Sequence, residues 1–74
     1  MAVEQFRVPG VSCQHCVHSV KQEVGAISGV QQVQVDLDTK TVTVDHSDQV
    51  TTAAIIAAIQ EAGYDEVAPL SSAG

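Results

Sequence analysis

The stretch VQVDLDTKTVTVD, residues 33–45, decides how this chain folds. Apolar and polar residues alternate on both sides of Asp38-Thr39-Lys40, as in two strands that each bury one face. The stretch therefore predicts an antiparallel hairpin, with strands at 30–37 and 41–45 joined by a short turn. Its apolar face is expected to carry Val33, Val35, Leu37, Val42 and Val44. Its other face is expected to meet water with Gln34, Asp36, Thr41 and Thr43.

A strand and a helix are predicted before the hairpin. Residues 5–8 read as a strand, and Pro9-Gly10 ends it. From Cys16 to about Ala26, apolar residues recur with the spacing of a helix. This apolar stripe consists of Val17, Val20, Val24 and Ile27. The run 25–29, which contains two glycines, predicts the end of the helix and a turn.

A second helix and a last strand are predicted after the hairpin. Residues 46–49 form a polar connector, and Thr51 is placed to cap a helix from about Thr52 to Ala62. Gly63 is placed to end that helix. The inner stripe of the helix is expected to be Ile55, Ile59 and Ala62. A short strand, about residues 65–68, completes the pattern and ends near Pro69.

The order strand, helix, strand, strand, helix, strand predicts an α+β fold. With right-handed crossovers it gives the ferredoxin-like βαββαβ sandwich, a four-stranded antiparallel sheet with both helices on one face. The other face of the sheet is expected to be open to water. The chain, 1–74, is expected to be a single domain with a core at about 4–69 and a flexible tail at 70–74.

Composition narrows the classes of function. A hydrophobic fraction of 45% and a charged fraction of 16% fit a folded globule. The net charge of −6, with three lysines and arginines, argues against nucleic acid as a partner because it cannot neutralise a phosphate backbone. The sequence shows no apolar run long enough for membrane insertion and no secretory leader. Two cysteines this close would close almost no loop as a disulfide, so a reducing, cytoplasmic location is expected.

The two cysteines of the chain form the motif Cys13-Gln14-His15-Cys16, at the point where a loop becomes a helix. The unpaired N–H groups and the dipole of a helix N-terminus favour a thiolate over a thiol. A thiolate binds soft metal ions and also attacks disulfides. The position of the motif therefore leaves metal binding and redox chemistry both open.

Two segments resemble a known family. The run Gly10-Val11-Ser12-Cys13-Gln14-His15-Cys16 resembles the G-M-x-C-x-x-C loop of heavy-metal-associated domains, and Gly63-Tyr64-Asp65 resembles the bacterial form of that family's loop after the second helix. The resemblance covers about residues 6–68 and is strongest to small bacterial cytosolic copper chaperones. It implies a soluble, non-enzymatic protein that binds Cu(I) through Cys13 and Cys16. It also implies delivery of copper to the metal-binding domains of a copper-transporting P-type ATPase.

Val11 departs from the family pattern, which has methionine at this position, usually as a buried prop beneath the metal loop. The shorter valine is expected to loosen that loop or to displace its cysteines slightly. Zinc- and cadmium-selective relatives usually carry an acidic residue near the first cysteine. Ser12 occupies that place here, which favours copper.

The chemistry of the residues agrees with a copper site. Cu(I) accepts two thiolates, whereas Zn(II) prefers four ligands, and the chain has no second C-x-x-C motif. A site with two protein ligands lets a partner's thiolate attack the metal. Cys13, on the loop, is expected to lead this exchange, and Cys16, in the first helical turn, to be the better anchored.

Other residues are candidates for accessory roles. His15 could be a third ligand, a proton acceptor for Cys16, a bridge between two molecules that share copper, or an exposed loop histidine. Tyr64 is expected near the sulfurs, as the family resemblance implies, although it could simply pack at the end of the sheet. His18 and His46 are expected to be exposed.

Two alternatives to a stand-alone chaperone remain. The first is a metal-binding domain excised from a P-type ATPase, against which the initial methionine and short tails weigh. The second is a dithiol oxidoreductase, since thioredoxin-like proteins also carry C-x-x-C at a helix start. Their downstream proline facing the cysteines has no counterpart in Pro9 or Pro69. A two-thiolate site at the tip of a domain also predicts a copper-bridged homodimer.

Overall fold

The computed structural model describes residues 2–73 and the side chains of residues 2–70. Six elements follow one another in the predicted order: β1 (Ala2–Arg7), α1 (Gln14–Gly25), β2 (Val30–Asp36), β3 (Thr41–His46), α2 (Thr52–Glu61) and β4 (Ala68–Ala73). The strands form one antiparallel sheet in the order β2-β3-β1-β4. The ferredoxin-like fold predicted from the sequence is confirmed.

The central hairpin has the predicted faces. Val33 pairs with Val44 and Val35 with Val42, so the apolar side chains share one face. At the turn, a carboxylate oxygen of Asp36 accepts hydrogen bonds from two backbone N–H groups, at 2.9 and 3.3 Å. Lys40 completes the turn with a φ of 59°, a left-handed conformation that costs a non-glycine residue roughly 1–2 kcal/mol.

Both helices contribute to a core against the sheet. Its fully buried members from the sheet and loops are Phe6, Val8, Val11, Val42 and Val44, and those from the helices are Val20, Val24, Ile55 and Ile59. Thr51 caps α2 as predicted, because its side-chain oxygen accepts from the N–H of Ala54 at 3.1 Å. Gly63 follows the helix with a φ of 107°, the conformation expected of a residue that ends a helix. No helix of the described residues is long and apolar enough to cross a bilayer.

The last strand differs from its prediction. β4 begins at Ala68 and continues through Ala73, so residues predicted to form a flexible tail pair instead with β1. Gly74 lies outside the described residues. Proline is compatible with this position because β4 is an edge strand, and the register shifts beside Pro69, leaving Leu70 as a bulge. The bounds of β4 follow from its backbone pairing with β1, which the local composition of this segment does not indicate.

The prediction that His46 is an exposed connector residue is wrong. His46 is the last residue of β3 and is buried, with its Nε2 atom 2.6 Å from a carboxylate oxygen of Glu4. Its Nδ1 atom lies 2.7 Å from the carbonyl oxygen of Ser47, and Thr52 donates its hydroxyl to the other Glu4 oxygen at 2.5 Å. His46 follows Val42 and Val44 at alternate positions, so the two-residue period of the strand places it on the core face.

Candidate metal centre

The two cysteines lie together on the loop between β1 and α1. Their sulfur atoms are 3.5 Å apart, and both are free thiols. Cys13 is exposed and precedes the first residue of α1 in an extended conformation, with a φ of −153°. Cys16 lies in the first turn of the helix and is half-buried against the core. The helix begins two residues earlier than predicted, and its start brings both sulfurs to one end of the molecule.

The environment of Cys16 favours its thiolate. A hydrogen bond from the Tyr64 hydroxyl lowers the pKa of Cys16 most, with further contributions from the Ser12 backbone and the Cys13 side chain. These interactions outweigh burial and lower the pKa of Cys16 from 9.0 to about 6. The same hydrogen bond is the largest cause that raises the pKa of Tyr64 to about 12. At neutral pH, Cys16 is therefore mostly ionised and Tyr64 remains a hydrogen-bond donor.

Tyr64 reaches the cysteines because of the way α2 ends. Gly63 turns the chain with a positive φ, and the N–H of Tyr64 returns to the carbonyl oxygen of Ile59 at 3.4 Å. The Tyr64 ring then lies against Gly10, where an added Cβ would come within 2.9 Å of the ring carbon Cδ1. Gly10 thus leaves the space that the tyrosine occupies. Tyr64 and Cys16 therefore interact through the turn that follows α2.

Two histidines lie near the cysteines in the sequence of α1. These residues, His15 and His18, are exposed on the first turns of the helix. Within residues 2–73, no group of three or more Cys, His, Asp and Glu side chains converges as a metal site. His15 therefore does not join the two thiols in a preformed three-ligand site. Among the described side chains, the thiols of Cys13 and Cys16 are the pair that meets at this end of the molecule.

Lys40 contacts the cysteine loop, and sequence reasoning did not predict this contact. Its ammonium donates to the carbonyl oxygen of Val11 at 2.7 Å, across 29 positions of sequence. Val11 itself is fully buried in the core beneath the cysteine loop. The contact depends on how the β2–β3 turn meets the end of β1, and no local pattern in the sequence predicts it.

Comparison with known proteins gives the family. The profile of the heavy-metal-associated domain matches residues 5–65, the greater part of the chain. The chain belongs to this family. The COP-associated protein of Helicobacter felis is 43% identical to this heavy-metal-associated domain over 58 residues, which are 78% of this chain and 88% of that protein. The copper chaperone CopZ of Bacillus subtilis is 41% identical over 66 residues, 88% of this chain and 96% of CopZ.

A solved structure shows the same architecture. The crystal structure of a copper binding domain from HMA7, a P-type ATPase, matches this heavy-metal-associated domain with a TM-score of 0.91. The two are 27% identical, and the match covers 100% of both chains. Members of one fold thus occur both as small chaperones and as ATPase domains.

The site has the chemistry of a soft-metal carrier. Two neighbouring sulfurs, one of them ionised near neutral pH, can bind a thiophilic cation. Because Cys13 is exposed, an incoming ligand can approach the bound ion from solvent. The same two sulfurs could also form a disulfide, so the geometry alone is compatible with both metal transfer and thiol exchange.

Proposed function

We propose that this heavy-metal-associated domain is a Cu(I) chaperone that delivers copper to the metal-binding domains of a copper-transporting P-type ATPase. The observation that carries the proposal is the pair of sulfurs, 3.5 Å apart at an exposed end of the fold, with one held as a thiolate. The similarity to CopZ and to the HMA7 copper binding domain supports both the cargo and the partner. In this proposal residues 1–74 act as a single, non-enzymatic domain.

Cys13 and Cys16 are the proposed ligands. Cu(I) bound by two thiolates carries a net charge of −1, which the N-terminus of α1 stabilises. The Tyr64 hydroxyl and the Ser12 N–H both donate to the Cys16 sulfur and so stabilise the same negative charge. These donors make Cys16 the better-held ligand and leave the exposed Cys13 as the one that exchanges first.

Transfer then follows from ligand exchange. A thiolate of the partner bonds to the copper ion and gives a three-coordinate state. The bond from copper to Cys13 then breaks, which releases Cys13. A second partner thiolate displaces Cys16 in the same way. The copper ion is thereby transferred to the partner and remains Cu(I).

We further propose that the protein is cytoplasmic and that a second copy of the same chain is one of its partners. Two adjacent free thiols persist in a reducing compartment, so we place the protein in the cytoplasm. The exposed sulfur end allows a second copy to offer its thiolates to the same ion. A copper-bridged homodimer, with His15 of each copy beside the shared metal, is the form expected at excess copper.

A dithiol oxidoreductase is the second candidate, because a Cys16 pKa of about 6 and the 3.5 Å sulfur separation would also serve disulfide exchange. Reduction of insulin disulfides by the metal-free protein distinguishes the two. A chaperone is expected to show no appreciable turnover. Activity close to that of a dedicated oxidoreductase would favour the second candidate.

Competition with chelators of known Cu(I) and Zn(II) affinity tests the proposed cargo and ligands. The reduced protein should retain one Cu(I) and prefer it strongly to Zn(II). Cys16→Ser should lower the Cu(I) affinity by several orders of magnitude and leave the fold intact, because it replaces one sulfur by oxygen in a side chain that is only half-buried beside the core. If Cys13→Ser combined with Cys16→Ser still held Cu(I) as tightly, the ligand assignment would be wrong.

A further inference from the structure

Lys40 has a backbone conformation that its residue type does not favour. Its φ of 59° lies in the left-handed region, where glycine is at ease and other residues are strained. Among the non-glycine residues that the structure describes, it alone has a positive φ. Such a conformation persists where the surrounding contacts over-determine it, and it often accompanies a functional constraint.

Two contacts of Lys40 go to the loop that leads to the cysteines. Its Nζ atom donates to the Val11 carbonyl oxygen at 2.7 Å in a partly buried position. Its own carbonyl oxygen accepts from the N–H of Val8 at 2.8 Å. The N–H of Val11 donates in turn to the carbonyl oxygen of Val8, at 3.2 Å. The side chain and the main chain of one turn residue therefore hold the loop at both Val8 and Val11.

The Val11 carbonyl and the Ser12 N–H belong to one peptide group. The Ser12 backbone is also among the causes that lower the pKa of Cys16, which places this peptide group beside the sulfur. The Lys40 ammonium lies 2.7 Å from the carbonyl oxygen of the same peptide group. A charged donor on the carbonyl polarises the group and strengthens its N–H as a donor. Rotation of this peptide group would break both interactions together.

We infer that Lys40 is a positioning residue for copper retention, which fixes the Val11–Ser12 peptide group and through it the Cys16 sulfur. The inference rests on the proposed function, because copper is the ion whose retention it concerns. The buried Val11 side chain anchors the loop to the core, and the ammonium holds the carbonyl oxygen of the same residue from the hairpin turn.

Three substitutions separate positioning from stability. Lys40→Met removes the ammonium and keeps the left-handed strain, Lys40→Gly removes the ammonium and relieves the strain, and Lys40→Arg keeps a cation on a long side chain. We expect the Met and Gly variants to lose Cu(I) to a competing chelator about tenfold faster than the unmodified protein. The Arg variant should stay within about threefold. The unfolding temperature of the Gly variant should exceed that of the Met variant.

Comparison of the Met and Gly variants distinguishes a positioning role of Lys40 from a role in stability alone. If copper loss instead follows the unfolding temperature, so that the Gly variant retains copper like the unmodified protein, the positioning role is overturned. Equal copper loss from the unmodified protein and every variant would overturn it as well. Copper loss that follows the presence of the cation, at whatever stability, supports it.

The metal-free protein gives a readout that does not depend on copper. The Ser12 amide resonance should shift, and its hydrogen exchange should accelerate, in the Met and Gly variants but not in the Arg variant. If the unmodified protein fails to hold Cu(I) against chelators, the proposed function fails, and a Ser12 signal that responds to the cation still supports the positioning contact. A Ser12 signal that none of the substitutions moves would overturn that contact.

Discussion

The carboxylate of Glu4 and the imidazole of His46 lie 2.6 Å apart in the interior, at the end of the sheet away from the cysteines. His46 pairs with Ala2 at the start of β1, whereas the cysteine loop follows Arg7 at its end. The five residue-to-residue steps from Ala2 to Arg7 separate these ends by roughly 16 Å. Because the Ser47 carbonyl can only accept, the Nδ1 atom of His46 donates to it, and the Nε2 atom is left to bond the Glu4 carboxyl group. The pair therefore satisfies two buried polar groups at once.

Breaking this pair should destabilise the protein without affecting copper. His46→Phe leaves the Glu4 carboxyl group buried without its main partner, so the free energy of unfolding should fall by about 3–5 kcal/mol, as measured by urea denaturation. Glu4→Gln retains a hydrogen-bonding side chain and should cost less, which keeps a folded variant available if the first is too unstable. Both folded variants should hold Cu(I) as tightly as the unmodified protein. Unchanged stability in His46→Phe would contradict the importance of the pair.

The ionisation of Cys16 should depend on Tyr64. In the reduced, metal-free protein carrying Cys13→Ser, ultraviolet absorbance of the Cys16 thiolate should rise with a midpoint well below the ordinary thiol pKa of 9.0. Adding Tyr64→Phe removes the largest cause of the lowered pKa of Cys16, so the midpoint should move upward. A midpoint that stays in place after the hydroxyl is removed would contradict the Tyr64 hydrogen bond.

The same ionisation should make stability depend on pH. The pKa of Cys16 is lowered to about 6 by folding, so its contribution is complete above the unfolded value near 9.0 and is lost as pH falls through about 6. The stability difference between the unmodified protein and Cys16→Ser, both reduced and metal-free, should therefore shrink as pH falls across this range. Urea denaturation at several pH values measures it. A difference that grows on acidification would give the opposite sign.

Gly10→Ala should imitate the loss of the tyrosine. A Cβ at Gly10 would come within 2.9 Å of the Tyr64 ring carbon Cδ1, so the ring must shift, and we expect this shift to weaken the hydrogen bond from its hydroxyl to Cys16. The thiolate midpoint should rise in this variant, as in Tyr64→Phe. Gly25→Ala is the matched control, because a Cβ there meets nothing within 4 Å. Equal midpoints in the two alanine variants would show that the ring adapts.

Copper in excess of one equivalent should drive dimers. Analytical ultracentrifugation across a Cu(I) titration should show a monomer at low copper and a dimer above one ion per chain. His15→Ala should weaken the multi-copper species more than the first ion, because the first ion needs only Cys13 and Cys16. His18→Ala, also exposed on α1, is the control. A strict monomer at two ions per chain would refute the copper-bridged dimer.

The parts of the fold that could be predicted from sequence are those with a local period. Val33 to Val44 alternates cleanly, and the caps at Thr51 and Gly63 are local signals, so the hairpin and α2 follow from sequence. The burial of His46 is also encoded by its alternation with Val42 and Val44, although a histidine at the end of a strand, beside polar residues, is typical of an exposed position. Its partner Glu4 depends on a register between distant strands, which no local pattern contains.

The candidate site also has parts that the sequence predicts and parts that only the folded chain creates. The motif that contains Cys13 and Cys16 identifies the candidate ligands, and the family resemblance placed Tyr64 near them. The lowered pKa of Cys16 depends on atoms that only the folded chain brings to the sulfur. Lys40 is the clearest case, since its contact with the loop joins residues 29 positions apart.

The bulge at Leu70 and the proline beside it affect how molecules of this protein meet in solution. An outermost strand with a regular row of unpaired N–H and C=O groups invites another chain to add to it, which leads to aggregation. Pro69 removes one of those donors, and the shift in register interrupts the row along β4. Along the β4 side of the sheet, this protein thus has an edge that discourages lateral assembly.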